Sequence, residues 1–204
     1  MVQISLIDAG KRFNKDWIFK GLNYQFEMGH HYALIGNNGS GKSTLLQSIA
    51  GYTSLSKGKI VWGEFDANSI YQQISLAAPY LELVEEFTTL EQIQFHNKFK
   101  PLINQISFEE IISLVGLKEA THKQIRYFSS GMKQRLKLAL AIFSASPILL
   151  LDEPCSNLDK EGYALYKKLI LDHANTKLII VGSNDPEEYQ FCDKQINLMD
   201  YKTL

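Results

Sequence analysis

The sequence predicts an α/β fold carrying a helical insertion, and three observations carry that expectation. A Gly-rich loop, Gly36 to Gly41, separates a short apolar run from a helical pattern. Two later runs of uninterrupted apolar residues, Ile148 to Leu151 and Leu178 to Val181, flank a helix-forming stretch. Between the loop and these runs, about Tyr80 to Arg126, the chain is helix-dominated. Unbroken apolarity marks strands buried on both faces of a parallel sheet, and strand, helix, strand at that spacing is a βαβ crossover.

In chain order, Val2 to Ile7 and Trp17 to Phe26 show mixed alternation and predict strands. His31 to Ile35 is a short apolar strand that stops at Gly36. Lys42 to Ala50 repeats Leu45, Leu46 and Ile49 at helical spacing, with Gly51 placed to end the helix. Lys59 to Trp62 and Ile74 to Ala78 predict further strands, and Thr88 to Lys98, Ser107 to Val115 and Lys133 to Ala145 predict helices. Lys160 to Asp172 is the helix between the two buried strands.

Composition narrows the function classes. The 204 residues are 45% hydrophobic and 21% charged, enough for one substantial core. A net charge of −1 gives no electrostatic footprint for nucleic acid or an anionic membrane surface, so no nucleic-acid partner is expected. Cys155 and Cys192 lie far apart, which argues against a disulfide scaffold or a Cys-based zinc site and fits a reducing compartment. Met1 to Gly10 lacks a basic n-region, so no signal peptide is expected. The most apolar stretch, Leu136 to Leu151, is broken by Lys137, Ser144, Ser146 and Pro147, whereas a membrane span needs about 20 apolar residues. A cytoplasmic chain is the expectation.

Gly36-Asn37-Asn38-Gly39-Ser40-Gly41-Lys42-Ser43 satisfies G-x-x-x-x-G-K-[ST] between a predicted strand and a predicted helix, the context of a Walker A loop. Its glycines let backbone N–H groups approach phosphate oxygens, and the helix N-terminus adds favourable dipole potential. Lys42 is then the residue for the β- and γ-phosphates, Ser43 a magnesium ligand, and Thr44 a hydrogen-bond donor near the α-phosphate. Asp152 and Glu153 end the apolar run from Ile148, at the strand edge where open α/β sheets bind ligands. Asp152 can hold magnesium, and Glu153 can polarise an attacking water.

With these residues in view, the chain resembles an ATP-binding-cassette (ABC) ATPase, the nucleotide-binding subunit type of transporters. The carriers are Gly36 to Thr44, Phe128-Ser129-Ser130-Gly131-Met132-Lys133-Gln134-Arg135 in the place of the family signature, Asp152-Glu153-Pro154, and Ser156-Asn157-Leu158-Asp159. Gly58-Lys59-Ile60 stands at the family's Gly-x-Ile strand entry, and Phe13 at its adenine-stacking aromatic, with Trp17 in reserve. The resemblance implies a P-loop NTPase with a mostly parallel sheet core, an antiparallel N-terminal β part and a helical subdomain at about 80–126, inserted between core segments 1–79 and 127–204. It implies ATP and Mg2+ as ligands, and ATP hydrolysis as the activity. Ser129, Ser130 and Gly131, preceding a helix with Leu136, Leu140 and Phe143 on its apolar stripe, would meet the γ-phosphate on a partner subunit, with Asp159 at the dimer seam. The partner is a second copy or a related ATPase chain, and a separate integral-membrane permease would receive the motion at the cytoplasmic face of the membrane. The Ser-Ser-Gly-Met spelling is similar to spellings of export cassettes.

Two departures bear on rate. Where the family has a Gln after the strand before the helical insertion, this chain has Pro79 and Tyr80, with Gln72 and Gln73 ahead of the strand. Glu82, Glu85 and Glu86 are either stand-ins or a charged exposed helix face. Where the family has a switch His, Asn184 stands in Gly182-Ser183-Asn184-Asp185-Pro186. Asn donates a hydrogen bond but carries no proton or charge, so slow hydrolysis is expected. The rival reading is a slow or non-hydrolytic ATP-dependent dimerisation switch not coupled to transport.

Overall fold

In the computed structural model, which describes residues 3–202, the chain forms two compact units. One comprises the chain up to Leu76, Pro147–Asp152 and the chain from Thr176 onward; the other comprises Ala77–Ser146 and Glu153–Asn175. The Val2 end of the first expected strand lies outside the described residues.

Two sheets make up the first unit. Gln3–Phe13 (β1) pairs antiparallel with Asp16–Glu27 (β2) and with Lys57–Val61 (β4), in the order β2-β1-β4. The second sheet has five strands: Ile74–Ala77 (β5), Ile148–Asp152 (β6), Leu178–Gly182 (β7), His31–Ile35 (β3) and Lys194–Asn197 (β8), in the order β5-β6-β7-β3-β8. The β6–β7, β7–β3 and β3–β8 pairs are parallel. Every residue of β6 and β7 is buried, the physical reason their sequences carry no polar alternation.

The helix Lys42–Ile49 (α1) lays Leu45, Leu46 and Ile49 into one core with Ile148, Leu150 and Ile180. Burying each such side chain contributes about 1.5–3 kcal/mol, so the helix carrying the Walker A lysine is firmly seated. At the end of β7 a Cβ on Gly182 would lie 2.9 Å from Leu46 Cδ1 and 3.4 Å from both Asp152 Oδ1 and Lys42 Cβ. A side chain at 182 would have to push the Leu46 tip aside, so glycine keeps strand and helix at this distance without displacing the core. The first unit also holds two single-turn helices, Ile70–Gln73 (α2) and Pro186–Tyr189 (α7).

The second unit is helical: Thr89–Phe99 (α3), Phe108–Leu114 (α4), Ser130–Ile142 (α5) and Lys160–His173 (α6). Each begins with a side-chain cap. Thr88 and Glu91 form a reciprocal capping box, and Ser107, Ser129 and Asp159 accept from the N–H groups of Glu110, Met132 and Gly162.

Several elements differ from expectation for identifiable reasons. β1 runs on to Phe13 because register shifts around Asp8 to Gly10 absorb residues that break the alternation, with Asp8 at φ 48°. α5 begins at Ser130, not Lys133, because Ser129 is its cap; Ser130 and Gly131 therefore form its first turn instead of preceding it. It stops at Ile142, short of Ala145, whose N–H bonds to the Pro101 carbonyl. Glu82, Glu85 and Glu86 lie in a loop and not on a helix face. The segment 80–126 falls within the second unit, which also takes in α5 and α6.

Candidate functional site

β3 ends at Ile35, and the chain turns through Gly36, Gly39 and Gly41 at φ 145°, 77° and 101° before α1 begins. At Gly41 a side chain is excluded twice, by the left-handed backbone and by Ile18 Cγ2, 2.5 Å from the position of a Cβ. No side chain caps α1 and no acidic residue occupies its first turn, so its leading N–H groups and positive dipole end stay available to an anion.

The Lys42 amine lies inside the loop. It donates to the carbonyls of Gly36 at 2.8 Å and Asn37 at 3.3 Å, and to Asn184 Oδ1 at 2.6 Å. Asn184 Nδ2 donates in turn to Asn38 Oδ1. Ser40 Oγ is buried with no hydrogen-bond partner among the described residues, a polar atom suited to a ligand oxygen in a loop that wraps one. Beside the loop opens a cleft of 490 Å³ lined by Gly36, Asn37, Asn38, Asn184, Asn197 and Met199 among others.

Local structure fixes Asn184. Ser183 N–H bonds to the Leu34 carbonyl at 3.2 Å, Ser183 Oγ accepts from Asp185 N at 2.9 Å, and Asp185 caps α7 through Glu187 N. A Ser and an Asp on either side therefore hold the amide over the phosphate loop, and Pro186 at the first helical turn keeps the helix start in place.

Asp152 closes β6 opposite Gly182 in the parallel register and is 1% exposed, its carboxylate and the Lys42 stem both bordering Gly182. A buried carboxylate and the Ser43 hydroxyl at the start of α1 are hard oxygen donors, the chemistry magnesium takes when phosphates and water complete its shell. These residues fit that ion. Glu153, one residue on, is half-buried with φ at +44°. A left-handed glutamate costs about 1–3 kcal/mol, and such strain persists where the direction of a side chain matters.

The second unit carries Ser129, Ser130, Gly131 and Asp159 as well as Glu153. Ser129, Ser130, Gly131, Arg135, Asn157 and Asp159 line a cleft of 340 Å³. A Cβ on Gly131 would lie 3.2 Å from the Asn157 carbonyl, so the first turn of α5 passes close over the loop after Glu153. That loop is two successive turns, with Asn157 at φ 64°. Asp159 is occupied twice: it caps α6 through Gly162 N at 2.8 Å and faces Arg135 Nη2 at 3.5 Å.

Two contacts were not assigned from sequence. Buried Gln134 donates to the Pro154 carbonyl at 2.7 Å, tying α5 to the segment after Glu153. Its helical phase with Leu138 and Ala141, on the buried side of α5, is the signal that could have found it. At the loop after β5, Lys137 Nζ donates to the Pro79 carbonyl at 2.9 Å. Burial, together with neighbouring Lys133, lowers the Lys137 pKa. Gln72 and Gln73 end α2, immediately before β5. Phe13, at the end of β1, is half-exposed and has the Lys11 ammonium 5.1 Å from its ring centroid. Trp17 has Arg12 and Lys20 over its ring, at 5.6 and 5.2 Å.

With this geometry in place, comparison with known proteins gives concordant matches. The family model described as ABC transporter matches residues 19–156. An ABC transporter ATP-binding protein of Bacillus subtilis, YybJ, is 30% identical over 195 residues, covering 93% of this chain and 89% of that protein. The cytochrome c biogenesis ATP-binding export protein CcmA of Agrobacterium fabrum is 31% identical, covering 86% and 85%. A dimeric post-hydrolysis structure of an ATP-binding cassette with ADP and Pi superposes with a TM-score of 0.82 at 21% identity, covering 95% of this chain and 93% of that one. The likeness in structure is one of fold.

Proposed function

Since the chain belongs to the ABC transporter family and is an ABC-type ATPase, we propose that it is the ATP-hydrolysing subunit of a transporter, closing as a dimer around ATP to drive a separate membrane subunit. The observation that carries this reading is the lodging of the Lys42 amine on the Gly36 and Asn37 carbonyls and on Asn184. A lysine amine lodged on the carbonyls of a Gly-rich loop, at the N-terminus of a helix that no described side chain caps, offers a cation and a positive dipole end to a triphosphate.

The phosphates take the loop N–H groups and the Lys42 amine, and the Asn184 amide turns its N–H to the γ-phosphate. Ser43 and Asp152 would hold magnesium, which supplies charge neutralisation at the phosphate oxygens when bound. Glu153, aimed by its left-handed backbone, orients water and takes its proton. Ser129, Ser130 and Gly131 of a second copy offer the Ser130 hydroxyl, first-turn N–H groups and a helix dipole to the γ-phosphate from the opposite side, while Ser129 Oγ remains the helix cap. Two equivalent sites follow from a two-fold pairing, with Asp159 at the seam.

No helix of the described residues is long and apolar enough to cross a membrane. The membrane subunit of this reading is a separate permease, which the ATPase meets at the cytoplasmic face. The signature spelling and the likeness to an export protein support export. A dimerisation switch uncoupled from transport is not favoured, since the matched relatives named here carry transport or export designations and Glu153 is retained. Glu153→Gln should accumulate an ATP-bound dimer on a sizing column while phosphate release falls by ~10²-fold or more. Wild-type turnover in that variant would remove Glu153 from the chemistry, and purification from solubilised membranes without a multi-span protein would count against transport.

A further inference from the structure

We infer that Lys11 is a positioning residue for the base of the nucleotide: its ammonium forms a fixed floor under Phe13, leaving the opposite face of the ring to take adenine. This rests on the reading of Phe13 as the adenine partner and adds a residue that nothing in the motifs assigns.

Lys11, near the end of the central strand β1, is only 9% exposed, unusual for a lysine. Its Nζ donates to Thr53 Oγ1 at 2.9 Å and to the Ser54 carbonyl at 2.7 Å, and stands 5.1 Å from the Phe13 ring centroid. Residues two apart on a strand share a face, so Lys11 and Phe13 meet, while Arg12 points the other way and covers Trp17. Phe13 is 53% exposed. One side of its ring faces the amine, and about half of the residue is open to solvent.

The amine does two things for the ring. It blocks the rotamers in which a terminal aromatic would fold back over its own strand. It also draws π density towards itself, which makes the far face a better partner for an electron-rich purine. Its anchors link this platform to the phosphate loop. Thr53 and Ser54 follow α1, and the backbone bond from Ser56 N to the Gly10 carbonyl at 2.8 Å, with Arg12 N donating to the Ser56 hydroxyl at 3.1 Å, locks that stretch to β1. Base platform and phosphate cradle are thus joined through one helix, at a spacing set before nucleotide arrives. With its donors committed to Thr53 and Ser54, Lys11 acts on the base and not on the phosphates.

The test compares dissociation constants for MgATP and for magnesium tripolyphosphate, by calorimetry, in wild type, Phe13→Ala, Lys11→Met and Thr53→Val. Phe13→Ala should weaken ATP by about tenfold or more through lost stacking, and Lys11→Met by about two- to fivefold through the lost cation–π support. Tripolyphosphate affinity should stay unchanged in both. Thr53→Val, which keeps the charge and removes one anchor, should weaken ATP selectively and by less, and it carries the test should Lys11→Met not fold. Equal losses for ATP and tripolyphosphate in the Lys11 variant would overturn the inference, as would wild-type ATP affinity there beside a selective loss in Phe13→Ala. A Phe13→Ala variant without a base-selective loss would instead overturn the adenine reading on which the inference stands.

Discussion

Replacing Asn184 tests the chemistry of the site most directly, because this side chain touches the Walker A lysine. Its Oδ1 accepts from Lys42 at 2.6 Å and its Nδ2 donates to Asn38, while the residue as a whole is exposed. A charge-assisted bond of that length between a buried amine and an exposed amide is worth about 1 kcal/mol net, just under the usual range for such bonds. Asn184→Ala removes a competitor for the Lys42 amine, so ATP should bind as tightly as before or up to about fivefold more tightly. Turnover should move the other way: losing one donor aimed at developing negative charge costs ~10²–10³ in kcat. Asn184→His replaces a group that cannot titrate with one whose ordinary pKa is about 6.5, so the rate should acquire an ionisation in the pH 5.5–7.5 window that the wild type lacks at this position. The assays are steady-state phosphate release at saturating MgATP across pH 5.5–8.5, and calorimetry for affinity. Wild-type kcat in the alanine variant, or a pH profile for the histidine variant superimposable on wild type, would show that position 184 does not contact the γ-phosphate.

A change at Glu153 and one of pH test other parts of the structure. Glu153→Gly relieves a left-handed backbone, so stability should hold or rise by up to about 1 kcal/mol while hydrolysis is lost; a destabilisation greater than about 1 kcal/mol in thermal unfolding would show that the strain is not there. His96 has its pKa lowered to about 4 by burial and by nearby Lys100. Its Nε2 stands 3.1 Å from Ser144 Oγ, whose own proton goes to the Leu140 carbonyl, so the imidazole is the Nε2–H donor. Between pH 6.5 and 4 the unfolded chain binds this proton and the folded helical unit does not, so stability falls as the pH falls, by up to about 3 kcal/mol. Denaturant titrations at pH 7.5 and 4.5 should lose that pH dependence in His96→Gln.

What the sequence made legible follows from how locally each feature is specified. The Walker A loop was readable because G-x-x-x-x-G-K-[ST] is itself a backbone prescription, and β6 and β7 because burial on both faces leaves no polar residue in Ile148–Leu151 or Leu178–Val181. β8 was missed: Lys194–Asn197 is short and three of its residues are polar, and it is a strand because β3 offers a free edge. α5 was begun late because Ser130 and Gly131 are poor helix formers whose place in the first turn depends on the Ser129 cap. Among the site residues, the Lys42–Asn184 bond joins positions 142 apart, and the Lys11–Thr53 bond depends on a strand passing the loop after α1. No periodicity encodes either contact.

The strain at Glu153 bears on the choice between turnover and a pure binding switch. Asp152 needs no unusual backbone, since it completes β6 in register with Gly182. The very next residue is left-handed, although glycine or asparagine would sit there at lower cost, and asparagine does occupy the second such position in this loop, at 157. A switch that only binds ATP through Lys42, Ser43 and the loop amides has no requirement for a carboxylate at 153, and a glycine would serve its fold better. Keeping a strained glutamate makes sense if the direction of that carboxylate has a task, and the orientation of water is the task we propose for it. Hydrolysis slowed by the neutral Asn184, not abandoned, is the reading that accommodates both residues at once.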